Sequence, residues 1–523
     1  MPTITWAGKE KVENHHHEVP FRTLKKQKSF RAKTPNSEGN RIIHGDNLEA
    51  LKSLLPEFDG AIDCIYIDPP YNTGNEKWVY NDNVNDPRLL KWLDKVVGKE
   101  GEDLSRHDKW LCMMYPRLKL LHRLLNKNGV ILISVDENEY HSLKLVMDEI
   151  FGRSCYLGTI AWKTRNVDNR VKTRLSIDHE QVLVYGKRST AAVNGRVIDR
   201  SDFKNSDEDP RGVYTTDPLT GKATAEEREN LHYTIINELT GDVYEPDPSR
   251  GWITDRAGYE ALLADNRITW PAKNPRKKRF LWETSERMPL STFWPDIKGQ
   301  SGADELDKIM GSRKFPFPKS IEFMTRVLDI ACGKDALILD SFAGSGTTGH
   351  AALQLNANDG GSRRFILIET MPYAKELTVE RIERVMNGYN DGEQDVLGLG
   401  GSFDFYTTSE PLFKDDLLNE KVDIDTIRNY IAYSEGIKPD ERQPIDNPYT
   451  PYLLGLNKEM AWVFNYEAGR ITSLDSEFLS TLKFENKKPR SAIIYADRCL
   501  LSKELMEKIG IKFKKIPRDI SRF

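Results

Sequence analysis

The chain contains the heptapeptide Asp68-Pro69-Pro70-Tyr71-Asn72-Thr73-Gly74, which determines where a strand of the fold must end. The heptapeptide follows an apolar run, residues 61–67, that has the length and composition of a buried strand. Two consecutive prolines cannot continue a sheet, because neither has a backbone N–H and each fixes its own φ. The strand therefore ends here, and Asp68, Pro69 and Tyr71 are held on a stiff loop at its carboxyl end. Open α/β sheets place their binding sites at such ends.

The loop brings together three groups that suit one kind of chemistry. The Asp68 carboxylate and the Pro69 carbonyl can each accept a hydrogen bond from an amino group, and the Tyr71 ring can stack on a flat base. We interpret the loop as an active site that methylates the exocyclic amine of a nucleobase. A strand end followed by a simple proline turn would be the better interpretation of Pro-Pro alone. The complete heptapeptide and its downstream partners favour the active site.

A second glycine-rich stretch follows a predicted strand at residues 336–339 and reads Asp340-Ser341-Phe342-Ala343-Gly344-Ser345-Gly346-Thr347-Thr348-Gly349. Its glycines let a ligand approach the backbone closely at the start of a helix. Residues 344–349 also fit the G-x-G-x-x-G pattern of dinucleotide sites, with Glu369 at the end of the next strand.

Two features favour S-adenosylmethionine over a dinucleotide at this second loop. Asp340 places a carboxylate before the glycines, where it suits the cationic end of a ligand better than a pyrophosphate. No downstream segment has the pattern of a hydride-transfer site, whereas the Asp68 loop requires a methyl donor. Glu369 is then predicted to bind the ribose hydroxyls. Asp46, which follows a predicted strand at 41–44 and Gly45, is expected both to cap a helix and to bind the cofactor's amine.

Bulk properties restrict the class of protein. At 523 residues the chain is expected to form two to four domains. The net charge of −4 does not favour nucleic acid, but basic residues cluster at 22–33 and 276–279, where phosphate contact and an ordinary solvated face are equally good explanations. No apolar run approaches the ~20 residues that span a bilayer. The five cysteines are scattered, without a C-x-x-C pair, and predict a cytoplasmic protein. The histidines at 15–17 are adjacent and do not have the spacing of metal ligands, so no metal site is predicted. No membrane contact is expected.

The alternation of strands and helices stops between about residues 186 and 301. This segment is rich in charge, proline and glycine, and its tryptophans (Trp252, Trp270, Trp282 and Trp294) are interspersed with arginine and lysine. Such a mixture suits a surface that contacts DNA. An inserted domain whose tryptophans form its own small core is the alternative. The polar stretch 75–102, after the heptapeptide, is expected to form a loop near the site.

With both loops located, the chain resembles the amino-group DNA methyltransferases of the adenine N6 type. Asp68-Pro69-Pro70-Tyr71 matches the catalytic motif of that family, and residues 340–346 match its F-x-G-x-G cofactor motif. The catalytic motif comes first, which is the order of the family's β group. Gly45-Asp46-Asn47-Leu48, the heptapeptide and Pro318-Lys319-Ser320 are most similar to the modification (Mod) subunits of type III restriction-modification systems. The resemblance is good over residues 40–190 and 310–410.

This resemblance implies an α/β, Rossmann-like S-adenosylmethionine-dependent methyltransferase domain with a mixed, mostly parallel sheet and a permuted motif order. It also implies an inserted target-recognition region and a small C-terminal α/β domain. The expected division is an N-terminal basic and polar arm (1–40), the catalytic half (41–186), the target-recognition insertion (187–301), the cofactor-binding half (302–410) and the C-terminal domain (411–523).

The resemblance also assigns roles to individual residues. Catalysis is carried by Asp68, Pro69, Pro70 and Tyr71. The cofactor pocket is formed by Asp46, Lys319, Asp340, Phe342, Gly344, Gly346, Thr347 and Glu369. The expected partner is double-stranded DNA, and a homodimer and a restriction or helicase subunit are further candidates. An aspartate at the first motif position favours adenine N6 over cytosine N4.

Three alternatives remain open at this point. A cytosine-N4 or RNA methyltransferase would share the whole mechanism. A nicotinamide-dependent oxidoreductase would use the G-x-G-x-x-G loop for a dinucleotide. A non-catalytic DNA-binding subunit would keep the fold without the chemistry.

Overall fold

The computed structural model describes residues 4–34, 37–72, 105–168, 175–271, 273–297, 299, 301–392, 394–447, 450–484 and 489–518. The chain forms two compact units, one of Met1–Val193 with Ser291–Phe523 and the other of Asn194–Leu290. Thr73 and Gly74 of the heptapeptide and the loop predicted at 75–102 lie outside the described residues. The domain boundaries expected from the sequence stay a prediction.

A ten-stranded sheet organises the first unit. Its strands in chain order are β1 Arg22–Arg31, β2 Asn40–His44, β3 Ile62–Ile67, β4 Leu125–Val135, β5 Tyr156–Lys163, β6 His179–Gly186, β7 Phe293–Trp294, β8 Leu337–Asp340, β9 Arg364–Glu369 and β10 Ser402–Pro411. Across the sheet they are ordered β1-β10-β2-β9-β8-β3-β4-β6-β5-β7. Most neighbouring pairs are parallel, and β1–β10, β4–β6 and β5–β6 are antiparallel. The predicted α/β class with a mixed, mostly parallel sheet is confirmed.

The pairing of β3 with β8 positions the two loops of interest. These strands are parallel neighbours, with Cys64 opposite Ile338 and Ile65 opposite Leu339. Their side chains are almost entirely buried, as expected of central parallel strands covered on both faces. Because parallel strands end at the same edge, the loop that begins at Asp68 and the loop that follows Asp340 emerge side by side.

Helices cover this sheet and connect its strands. The longer helices of the first unit are Asn47–Phe58, Ser105–Leu124, Tyr140–Phe151, Ser301–Met310, Ile321–Ala331, Thr347–Asp359, Glu380–Asn387 and Ile424–Ser434, and the short ones are Lys9–Val12, His15–Glu18, Ser476–Thr481 and Lys503–Lys508. In the described part of the chain, no helix is both long and apolar enough to cross a membrane. No group of His, Cys, Asp and Glu side chains there could hold a metal ion.

Local sequence patterns predict that Pro116 kinks or splits its helix, that Gly129 lies just past the end of that helix, and that residues 161–163 begin a strand. All three predictions were wrong. Pro116 does not split its helix, which runs unbroken through Ser105–Leu124, because the buried side chains on its inner face outweigh one lost backbone hydrogen bond. Gly129 does not end that helix but lies inside β4, which already begins at Leu125. Residues 161–163 end strand β5 and do not begin a strand.

Part of the N-terminal segment belongs to the ten-stranded sheet. Residues 22–31 form the edge strand β1, which pairs antiparallel with β10. Lys26 and Arg31 both form ion pairs with Asp404, at 2.7 and 2.8 Å, and Arg22 pairs with Glu49 at 3.1 Å. Part of the basic cluster is therefore neutralised within the sheet.

The second unit is built from short strands around a small core. Tyr214–Pro218, Ile268–Thr269 and Arg276–Phe280 form a three-stranded sheet, next to the helix Arg256–Ala264 and the paired strands Ile235–Ile236 with Val243–Tyr244 and Arg196–Val197 with Arg287–Met288. Trp252 is fully buried in the core. Lys278 is also buried and pairs with Asp207 and Asp209.

These two residues favour the inserted-domain interpretation for part of the segment. Trp282, by contrast, is 64% exposed. Trp294 lies in β7 of the ten-stranded sheet. A DNA-contacting surface in this unit stays a prediction.

A separate four-stranded sheet lies near the C-terminus, formed by Leu453–Leu456, Met460–Phe464, Ser491–Ala496 and Ile511–Lys515. The last two strands and the helix Lys503–Lys508 between them confirm the α/β pattern expected there. Remaining short strands are Gly388–Asn390 with Asp395–Leu397, Phe413–Lys414 with Leu417–Leu418, and Ser473–Leu474 with Arg498–Cys499.

A glycine packs the helix Ser301–Met310 against the segment that carries Lys319. A Cβ atom on Gly302 would lie 2.2 Å from the Pro318 carbonyl oxygen and 2.9 Å from the Lys319 carbonyl carbon. Because backbone atoms cannot move aside as a flexible side chain can, Gly302→Ala is expected to lower the free energy of unfolding by about 1–3 kcal/mol. Denaturant unfolding measures this change.

Gly333→Ala is the matched control. Gly333 is exposed, and the nearest atom to a Cβ there is a side-chain oxygen of Asp335 at 3.3 Å. Its effect is expected to stay within about 0.5 kcal/mol. Equal losses from both substitutions would contradict the close packing at Gly302.

Candidate active site

The loop after β3 is fixed by hydrogen bonds on its far side. Trp110, on the helix Ser105–Leu124, donates its indole N–H to the Pro70 carbonyl at 2.6 Å. Asn72 adopts a left-handed backbone conformation with φ of 61°, which asparagine tolerates better than most residues. Its side-chain amide donates to Glu139, which also contacts His107 at 2.8 Å. No sequence motif indicated these supporting contacts.

A single ammonium group connects the side chains at the mouth of this loop. Lys319 Nζ lies 3.0 Å from Asp68 Oδ2 and 3.1 Å from Glu180 Oε2, and it donates to Tyr71 Oη at 2.8 Å. Tyr71 in turn shares its hydroxyl proton between Asp68 Oδ1 at 2.6 Å and Glu180 Oε2 at 3.1 Å. One cation therefore compensates two carboxylates.

The protonation states of this network follow from its contacts. Burial alone would lower the pKa of Lys319, but Asp68 and Glu180 raise it above its ordinary value, so the amine stays charged. Burial, followed by the neighbouring Asp68 and Glu180 charges, raises the pKa of Tyr71 well above its usual range. The tyrosine therefore remains a neutral hydrogen-bond donor.

The loop after β8 holds two buried carboxylates. Asp340 accepts from the Phe342 amide at 3.0 Å and from the Thr348 hydroxyl at 2.5 Å, and burial raises its pKa to about 7. Glu369, at the end of β9, accepts from the Gly344 and Met371 amides at 2.7 and 2.8 Å, and burial likewise raises its pKa to about 7.

Both loops line one cavity of about 750 Å³. Its wall includes nine of the predicted site residues: Asp68, Pro69, Pro70, Tyr71, Lys319, Asp340, Phe342, Gly344 and Thr347. Tyr71 and Phe342, from distant parts of the sequence, thus share one cavity. A volume in this range suits a ligand of the size of a nucleoside or a small cofactor.

Three predicted cofactor residues are not among those that line this cavity. Asp46 caps the helix Asn47–Phe58, accepting from the Leu48 and Glu49 amides at 2.9 and 3.2 Å, so the structure supports only its capping role. Gly346 supplies a left-handed turn (φ of 83°) at the start of the helix Thr347–Asp359. Glu369 does not line the cavity, and its carboxylate accepts a hydrogen bond from the Gly344 amide.

Sequence reasoning missed Glu180. It lies at the start of β6, next to His179, and no motif marks it. Its role becomes visible only because the sheet brings β6 to the same edge as β3. Trp162, on β5, and Asp136 also line the cavity and were missed. Asp136 directly follows β4, and its position as a carboxylate at a strand end is the signal that could have identified it.

The described wall has more carboxyl groups than cationic side chains. The carboxyl groups are those of Asp68, Asp136, Glu137, Glu180, Asp304 and Asp340, against the cations Arg165, Arg313 and Lys319. An excess of carboxylates attracts a cationic ligand and repels a pyrophosphate. The residues present therefore fit a sulfonium methyl donor better than a dinucleotide.

The profile of the DNA methylase family that covers N6 and N4 enzymes matches residues 62–380, a range that contains both loops. The chain belongs to this DNA methylase family. Family membership decides against the nicotinamide-dependent alternative.

The chain is also similar to individual DNA-modifying enzymes. The chain is 34% identical over 384 residues to the type III restriction-modification enzyme StyLTI Mod subunit of Salmonella typhimurium, covering 69% of this chain and 56% of that subunit. It is 32% identical over 397 residues to the type II methyltransferase M.KpnI of Klebsiella pneumoniae, covering 68% of this chain and 90% of that enzyme. The chain thus spans little more than half the length of the StyLTI subunit.

Among solved structures, the cytosine-N4-specific PvuII DNA methyltransferase matches 69% of this chain and 93% of its own. The identity is 14% and the TM-score is 0.35. A similarity this low carries no argument about the site.

The raised pKa of Asp340 makes the stability of the ligand-free protein depend on pH. Between pH ~4 and ~7 the folded carboxyl group holds its proton while the unfolded one has lost it, so this group's contribution to stability falls as pH rises through that window. Asp340→Asn cannot ionise; its one oxygen can accept from the Phe342 amide, and its NH2 group can donate to the Thr348 hydroxyl. We therefore expect the variant's Tm, measured relative to wild type, to increase as the pH is raised from 4 to 7.

Asp359→Asn provides a control of opposite sign. Its hydrogen bonds to Arg363 lower the pKa of Asp359, so its contribution to stability is present at neutral pH and is lost in acid. This variant should lose Tm relative to wild type at pH 7 and approach wild type as the pH falls. A pH-independent difference for Asp340→Asn would contradict the assignment.

Proposed function

We propose that this protein transfers a methyl group from S-adenosylmethionine to the N6 amine of an adenine in duplex DNA. The observation that carries the proposal is the cavity shared by the Asp68 loop and the glycine-rich loop after β8. One loop offers acceptors for an amino group, and the other offers a wall for a cationic donor. Membership of the DNA methylase family supports the same reaction class.

The proposed role of the first loop is to make a poor nucleophile reactive. The lone pair of an aromatic amine is delocalised into its ring. When Asp68 and the Pro69 carbonyl each accept one N–H, the nitrogen is drawn toward tetrahedral geometry and its lone pair becomes available. Both Asp68 oxygens already bind partners, but each retains a second lone pair.

The hydrogen-bond contacts of the Pro69 and Pro70 carbonyls agree with this role of the loop. The Pro70 carbonyl is occupied by the Trp110 indole, which fixes the loop. Among the described residues, no donor reaches the Pro69 carbonyl. It is therefore available to the substrate.

The second loop and the acidic wall would hold the cofactor. Asp340, Phe342, Gly344 and Thr347 line the region expected to bind it. When bound, S-adenosylmethionine supplies an electrophilic methyl carbon. The Phe342 and Tyr71 rings can stabilise a neighbouring cationic group. Holding amine and methyl group in contact is worth about 7–11 kcal/mol of the activation barrier.

The target base has to leave the helix to reach this cavity, because the amine is inaccessible inside a duplex. Extrusion costs a few kcal/mol, which stacking on Tyr71 offsets in part. Double-stranded DNA is therefore the proposed substrate. The unit Asn194–Leu290 is the proposed target-recognition region, with Trp282 as an exposed aromatic candidate for contact.

We propose adenine N6 and not cytosine N4 as the target, and a role as the modification subunit of a type III-like restriction-modification system. The aspartate at position 68 supports the adenine assignment, and the similarity to Mod subunits supports the role in a restriction-modification system. A restriction subunit and a second copy of this chain are the proposed partners. We also propose a cytoplasmic location, because the proposed substrate is double-stranded DNA.

The identity of the methylated base provides the first test. DNA from cells that express the protein should contain N6-methyladenine at one recurring site, detected by mass spectrometry of nucleosides and by single-molecule sequencing. DNA from cells without the gene provides the background. The appearance of N4-methylcytosine instead would overturn the adenine assignment.

Removal of the proposed acceptor provides the second test. Asp68→Ala should reduce the methyl-transfer rate by about 10²–10³-fold or more, because the amine then loses an oriented acceptor. Cofactor binding, measured by calorimetry, should be largely preserved. Asp296→Ala, which removes an exposed aspartate paired with Arg326, is the control. Equal losses of transfer and cofactor binding in Asp68→Ala would show that the loop has been misassigned.

A further inference from the structure

A buried arginine lies directly behind the glycine-rich loop. Arg381, on the helix Glu380–Asn387, is fully buried. Its Nη1 donates to Ser345 Oγ and to Thr347 Oγ1, both at 2.8 Å, and more weakly to the Ser345 carbonyl at 3.4 Å. Nη2 lies 3.4 Å from His350 Nδ1, and Nε has no hydrogen-bond partner among the described residues.

No carboxylate of the described chain pairs with this guanidinium. Burial lowers the pKa of Arg381 to about 10, so the group remains charged at neutral pH. His350 is neutral there, because burial and the neighbouring arginine lower its pKa well below the usual range. Glu305 acts on Arg381 only at longer range, since its Oε2 accepts from the Ile321 amide at 2.8 Å.

The unpaired state of Arg381 is unusual when it is compared with a second buried arginine, Arg363. Arg363 is almost as buried, and it pairs with Asp359 at 3.0 Å. A buried charge without a counter-charge costs several kcal/mol. The unpaired state of Arg381 therefore indicates that an anion completes its surroundings when the cavity is filled.

The two hydroxyls in contact with Arg381 lead from the buried charge to the cavity. Ser345 and Thr347 both line it. A hydroxyl that accepts a hydrogen bond from the guanidinium still has one proton to donate. Thr347 directs its proton toward the Lys319 carbonyl over a long 3.4 Å, and Ser345 Oγ lies 3.2 Å from Thr347 Oγ1, so a ligand can replace these weak contacts. The helix Thr347–Asp359 begins at the same place and adds the partial positive charge of its N-terminus.

We propose that Arg381, acting through Ser345 and Thr347, makes this part of the cavity a receptor for the carboxylate of the methyl donor's amino-acid end. The inference rests on the proposed function, because S-adenosylmethionine carries its one carboxylate there. The acidic wall around Asp68 and Asp340 repels that carboxylate, so the two regions together orient the ligand. Arg381 is thus a positioning residue that lies outside both loop sequences.

The test compares two ligands that differ only in the carboxylate: S-adenosylhomocysteine and its decarboxylated analogue. Calorimetry on the full chain should show that wild type binds the first at least about tenfold more tightly, the range expected for a hydrogen-bonded charge. Arg381→Met should lose this preference and bind the decarboxylated analogue as well as wild type does. A purely structural role would weaken both ligands alike, and that result would overturn the proposal.

Two further variants separate the possible outcomes. Arg363→Met removes an equally buried but paired arginine and should leave the preference for the carboxylate unchanged. Thr347→Val keeps the side-chain shape, removes one hydroxyl, and should reduce the preference even if Arg381→Met does not fold. An unchanged preference in Thr347→Val would contradict the proposal. If wild type binds neither ligand, the proposed function itself fails, which is distinguishable from a wild type that binds both ligands equally.

Discussion

The arrangement of the site depends on one ion-pair network, in which Lys319 Nζ lies between the carboxylates of Asp68 and Glu180. Two carboxylates at this distance from one group would repel each other in a largely buried setting, and the ammonium removes that repulsion. The three residues come from three elements: the loop after β3, the start of β6 and the segment before the helix Ile321–Ala331. The network therefore does more than hold one loop, because it joins parts of the chain that are far apart in sequence. Tyr71 completes it as a neutral donor.

The sheet makes this network possible. The strands β3 and β8 are parallel neighbours although the whole second unit lies between them in the sequence. Parallel neighbours end at one edge, so a proline-rich loop and a glycine-rich loop open onto the same cavity. Prolines make the loop after β3 rigid, and glycines let a ligand approach the backbone of the loop after β8 closely. Trp110 and Glu139 add rigidity from behind, through Pro70 and Asn72.

Charge divides the cavity into two regions. Carboxyl groups outnumber cations in the described wall, whereas Arg381 lies behind Ser345 and Thr347 and pairs with no carboxylate of the described segments. A ligand with a cationic centre and one carboxylate matches both regions, and a dinucleotide matches neither well. Burial, and not the division of the cavity, raises the pKa values of Asp340 and Glu369, because it removes both groups from water and no described cation pairs with either. Such groups destabilise the empty protein and favour a cationic ligand.

The sequence alone determined the α/β class and the strands that carry the two loops, because prolines, glycines and strand-end carboxylates act through local backbone geometry. Asp68 and Asp340 of the cavity wall follow from the same patterns, whereas Lys319, Phe342 and Thr347 were assigned through the resemblance to DNA methyltransferases. The sequence could not determine that Pro116 is tolerated inside a helix or that residues 22–31 form a sheet edge, since both follow from packing against distant elements. The roles of Glu180, Trp110 and Arg381 could not be identified from the sequence either. Each acts through a partner brought close only by the folded sheet and its helices, and the energy of such contacts depends on burial and distance, which no local pattern of residues encodes.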